Sequence, residues 1–180
     1  MAATDDNEEL ASRADKLFAA RSALAETERP ARRFGVAEIV RFLNDPMRSL
    51  SMEEQKALFA DSRLRADYRR LKLQATVSDM PAVAAASGGE VRSRRFGGGT
   101  LTIHPSRIPG QVYVIIRFDG PASPPRMLLL ESAQGDLLKR PLPAADASGE
   151  AMIVLDEKIT SDANFLHLIS DPTSTGSFLF

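Results

Sequence analysis

The sequence predicts an α+β protein, with short N-terminal helices followed by an antiparallel β-sandwich-like domain. Three observations carry this prediction. Apolar residues recur at three- and four-residue spacing as far as residue 76. Beyond residue 99 the period shifts towards two, and Gly, Pro, Asp and Ser interrupt the apolar runs at short intervals. Between these regions the chain is rich in Ala, Gly and Arg. The expected organisation is an acidic, partly mobile helical segment over 1–33, a helical partner-binding region over 34–78, an Ala/Gly/Arg-rich linker over 79–99 and a β-rich domain over 100–180.

The helices follow from spacing and caps. In 5–28, Leu10, Ala14, Leu17, Phe18 and Leu24 fall near one face, the net charge is −4, and Pro30 ends the run. That apolar stripe is thin for a helix standing alone in water. Over 35–43, Val36, Ile39, Val40 and Leu43 make an apolar face, and Asn44-Asp45-Pro46 stops the helix. Ser51-Met-Glu-Glu54 has capping-box spacing and opens a third helix. Asp61 or Ser62 caps a fourth, about 63–76, with Leu64, Tyr68, Leu71 and Ala75 in line.

The expected strands are 100–104, 111–118, 127–132, 136–140, 151–156, 165–170 and 177–180. Gln134-Gly135 marks a hairpin turn. Val112–Ile116 and Met127–Leu130 are continuous apolar runs, which suits strands covered on both faces. In the last strand, Phe178 and Phe180 should face the core and Leu179 the opposite side.

Composition narrows the function. The chain is 43% hydrophobic and 26% charged, as globular proteins are, and its net charge of −1 recruits neither nucleic acid nor an anionic membrane. The absence of cysteine removes disulfides, thiolate nucleophiles and Cys-type zinc sites. The acidic start lacks the basic and apolar regions of a signal peptide, which points to the cytoplasm. No stretch is apolar enough to span a membrane, so no membrane partner is expected.

Catalytic patterns are weak. His104, Ser106 and Asp119 supply the residue types of a hydrolytic triad, but no Gly-x-Ser-x-Gly elbow fixes them. His167 alternates with Leu166 and Leu168, which suits the polar face of a strand. Phe96-Gly-Gly-Gly-Thr100 lacks the Lys of a phosphate loop and opens a strand, so it reads as a turn. No cofactor or metal motif is present.

The strongest charge feature is basic. Arg63, Arg65, Arg69, Arg70, Lys72, Arg92, Arg94 and Arg95 face only Asp67, Asp79 and Glu90 over the same stretch. Such a cluster suits an acidic partner, or the acidic first helix of this chain. Nucleic acid fits less well, because few aromatic residues interleave with the cations.

Leu50-Ser-Met-Glu-Glu-Gln-Lys-Ala-Leu58 and Asp61-Ser-Arg-Leu-Arg-Ala-Asp-Tyr68 resemble the helical N-terminal regions of bacterial anti-sigma factors. The zinc-ligating His and Cys residues common in that family are missing here. The resemblance implies a zinc-free, helical, partner-binding segment. Residues and resemblance together point to a non-enzymatic regulatory or adaptor protein that uses the eight basic residues to bind a protein partner. The alternatives are a ligand-binding β-module with a helical cap and, last, a small hydrolase.

Overall fold

A computed structural model describes residues 34–83, 91–120 and 124–180. The helix expected over 5–28 and the Ala-rich run from 84 lie outside these residues. In chain order the elements are α1 (Val36–Asn44), α2 (Met52–Ala60), α3 (Ser62–Ala75), β1 (Thr76–Met80), β2 (Ser93–Phe96), β3 (Gly99–Pro105), β4 (Gln111–Phe118), β5 (Met127–Glu131), β6 (Leu137–Pro141), β7 (Glu150–Asp156), α4 (Thr160–Ser170) and β8 (Thr175–Leu179). Gly35–Phe180 forms one compact unit.

The caps read from the sequence set the helix starts. Ser51 Oγ accepts from Glu54 N at 3.2 Å, and Glu54 Oε2 accepts from Ser51 N at 2.8 Å, closing a capping box on α2. Burial would raise the Glu54 carboxyl, but the Ser51 N–H and Arg48 outweigh it and hold it below its usual range. Asp61 Oδ1 accepts from Arg63 N and Leu64 N and starts α3.

The strands form two four-stranded antiparallel sheets, ordered β1-β8-β5-β6 and β2-β3-β4-β7. Alternation sends Leu128, Leu130, Phe178 and Met80 of the first sheet against Leu101, Val114, Ile116, Ile153 and Leu155 of the second. Phe96, Phe118 and Phe178 meet with ring centroids 4.3–5.9 Å apart. The opposite side of the first sheet carries Met127, Leu129 and Leu179, also buried. There the helices attach. Gln55 accepts from Leu137 N at 2.9 Å and donates to Leu137 O at 3.3 Å, which satisfies backbone groups of edge strand β6. Lys72 pairs with Glu131 at 3.0 Å, and Lys139 donates to Phe42 O and Asp45 O at the end of α1.

Several expectations change. Residues 165–170 are the second half of α4, because Phe165, Leu168 and Ile169 form a helical stripe that enters the core between the sheets. Asp162 anchors this helix by accepting from Asp156 N at 3.0 Å and Arg140 at 2.7 Å. Burial would raise the Asp162 carboxyl, yet these donors hold it below its usual range.

The stretch 79–99, expected as a linker, completes β1 and contains all of β2. Gly97-Gly98 is the two-residue turn of the β2–β3 hairpin, with Phe96 opposite Gly99. Gly99 has φ +153°, and a Cβ there would run into the Arg117 carbonyl. Met127–Leu130 is covered on both faces, as expected. In Val112–Ile116, Tyr113 and Ile115 are only half-buried, so this run is not covered on both faces. Phe178 is fully buried, but Phe180 is 63% exposed rather than in the core.

Candidate functional site

The eight basic residues separate into distinct environments. Tyr68, 2% exposed, fixes the inner side of α3, and its hydroxyl stays neutral because burial, and then Glu131, push its pKa well up. Lys72 lies beside it, its Nζ 5.9 Å from the Tyr68 ring, and is engaged by Glu131. Arg63, Arg65, Arg69 and Arg70 are exposed. Arg70 pairs with Asp67 at 3.2 Å across an exposed i, i+3 step, and among the described residues the other three form no ion pair.

Helical spacing brings Arg63 and Arg70 onto one line, with Arg69 on the other side of Ala66 and Leu73. Leu73 is 71% exposed. The outer face of α3 is therefore a small apolar strip flanked by arginines. The sequence reading missed Leu73, although a helical projection that places Tyr68 inside also places Leu73 outside.

Arg94 is not on this surface. It is 2% exposed and points into the fold from β2. Its Nε donates to Ile169 O at 2.8 Å, and Nη1 to Ser174 O at 2.9 Å. Nη2 donates to Ser174 Oγ at 3.1 Å and to Asp171 O. The carbonyls left open at the end of α4 thus find a buried donor. Burial lowers the Arg94 pKa, and Asp171 opposes that fall. Arg92, just before β2, and Arg95, within it, are exposed.

A second feature lies between α4 and the second sheet. Apolar Ile103, Val112, Ala163 and Leu166 and polar Arg92, Glu157, His167, Ser170 and Asp171 together line a cleft of about 600 Å³. Leu166 and His167 reach it because residues 165–170 are helical.

Of the three triad candidates, Asp119 lies apart from His104 and Ser106. His104 Nε2 lies 3.1 Å from Thr102 Oγ1, and Ser106 Oγ lies 3.3 Å from Tyr113 Oη. His104 pairs with Tyr113 at one end of β4, whereas Asp119 follows Phe118 at the other. Among the described residues no helix is long and apolar enough to cross a membrane. Comparison with protein families, curated proteins and solved structures gives no match to this chain.

Proposed function

We propose that this is a non-enzymatic regulatory or adaptor protein that docks an acidic, helical segment of a protein partner on the outer face of α3. The observation that supports this reading most is the exposed Leu73 strip between Arg63, Arg69 and Arg70. Arginine is enriched in interfaces because its guanidinium pairs carboxylates in a fixed fork and its stem covers apolar surface. An acidic amphipathic helix would set its apolar residues on Ala66 and Leu73 and its carboxylates on the arginines. Nucleic acid fits this face less well, since α3 exposes no aromatic side chain for stacking. The resemblance of 50–68 to anti-sigma N-terminal regions agrees with a regulator of that type acting in the cytoplasm.

The test is affinity capture from the native host, followed by hydrogen exchange on the purified complex. A protein captured by the wild type and lost with both Leu73→Asp and Arg69→Glu/Arg70→Glu is expected, with new protection over 62–75. Protection elsewhere only, or capture indifferent to both variants, would refute the assignment.

A further inference from the structure

We propose that the cleft between α4 and the ends of β3 and β4 binds a small amphipathic monocarboxylate, with Arg92 pairing the carboxylate and Ile103, Val112 and Leu166 receiving the apolar chain. At about 600 Å³ the cleft has the volume of a small-molecule site. Its lining combines apolar side chains, Ile103, Val112 and Leu166, with polar and charged ones, Arg92, Glu157, His167 and Asp171.

The two ends of the cleft differ in charge. Ile103 N donates to Arg92 O at 2.8 Å, and Val91 N donates to Ser170 O at 2.9 Å. These bonds fix Arg92 beside the C-terminal end of α4. Arg92 is exposed, and among the described residues it forms no ion pair. Asp171, the nearby acid, is already engaged. Its Oδ1 accepts from Thr173 N and Thr173 Oγ1 at 2.8 Å each, and these donors hold its pKa down. Arg94 donates to the backbone carbonyl of Asp171, and the charges of His167 and Arg94 add to the pull that holds the Asp171 carboxyl down. Ser170 and the His167 ring add polar groups at this end.

At the other end is Glu157, whose N–H donates to Gly110 O at 2.8 Å beyond β7. Ala163, Leu166 and Ser170 line the cleft along one face of α4. Seven residues of helix rise about 10 Å, the length of a medium acyl chain. A carboxylate at Arg92 then leaves the chain over Leu166, Ile103 and Val112, with its methyl end towards Glu157. A second carboxylate there would meet Glu157 and be rejected, so the cleft should select a single acid group. The α3 face takes no part, and the proposal stands independently of the partner assignment.

The experiment titrates the full-length chain with sodium octanoate, octanamide and octanedioate, followed by amide NMR shifts and calorimetry. Octanoate is expected to saturate with a dissociation constant below about 1 mM, shifting the amides of Arg92, Ile103, Leu166 and His167. Octanamide and octanedioate should each bind at least tenfold more weakly. Arg92→Gln, at an exposed position, should keep the melting temperature, weaken octanoate at least tenfold and leave octanamide unchanged. The proposal is overturned if octanoate does not saturate, if octanamide binds as tightly as octanoate, or if the shifts map instead to the separate pocket lined by Val77, Gly97, Phe118 and Pro125.

Discussion

Arg94 on β2 donates to Ile169, Asp171 and Ser174, and Lys139 on β6 donates to Phe42 and Asp45. In both cases a cation from a strand occupies the C-terminal end of a helix, where open carbonyls and the negative end of the helix dipole favour it. Arg94 was visible in the sequence only as a member of a basic cluster. Its role depends on strand alternation, which places it with Phe96 on the inner face of β2, and the glycines on either side made that strand look like a linker. Arg94→Met should destabilise the fold by about 3 kcal/mol, because several buried acceptors lose their donor at once. Urea unfolding measures this, and Arg95→Met, at an exposed position, should cost little.

Lys139 gives a pH test. Burial lowers its pKa to about 8, against the pull of Asp45 and with some help from Arg48. Above that pH the folded protein releases a proton that the unfolded chain keeps until about 10.4. The unfolded state then binds more protons, so stability from this group rises with pH between about 8 and 10. The melting temperature of the wild type relative to Lys139→Met should therefore shift in favour of the wild type across that window. A difference that stays constant with pH would remove Lys139 as the titrating group.

At the scale of elements, the sequence shows those whose signal is local. Ser51 with Glu54, and Asp61, marked the starts of α2 and α3, and Gln134-Gly135 marked the β5–β6 turn, where Gly135 has φ +93°. The signal failed where tertiary packing decides. Residues 165–170 contain both an alternating and a helical reading, and the core selects the helix because it brings Phe165, Leu168 and Ile169 to one side. Phe165→Ala should cost about 3–4 kcal/mol, as expected for a buried ring deleted from a packed site. Gly99→Ala should also destabilise, by strain at the start of β3 and loss of its pairing with Phe118. Thermal melts of the two variants test both statements, and a Gly99→Ala protein that melts like the wild type would contradict the second.

For the molecule as a whole, β1 joins the helices to the sandwich. Thr76–Met80 follows α3 directly and pairs with β8, a contact nearly one hundred residues apart in sequence. Pairings of that range leave no local trace, which explains why the β-rich region seemed to begin near residue 100. A chain starting at residue 91 lacks β1 and exposes Met127, Leu129 and Leu179, the residues beneath the helices. It should bind apolar dyes and melt without a cooperative transition, as circular dichroism would show. The candidate surface was partly legible, since its arginines stand out in the sequence. Separating the exposed Arg63, Arg69 and Arg70 from the engaged Lys72 and buried Arg94 required the fold.

The central functional claim is that arginines on α3, arranged around Leu73, hold an acidic partner. The most direct test measures the affinity of the purified complex from low salt to about 0.5 M, where charges more than a few ångströms apart are largely screened. Wild type should weaken at least tenfold over this range. Arg63→Glu/Arg69→Glu/Arg70→Glu should bind at least tenfold more weakly at low salt and lose most of the salt dependence. Wild-type binding that ignores salt, or a triple variant that binds as well as the wild type, would contradict the account.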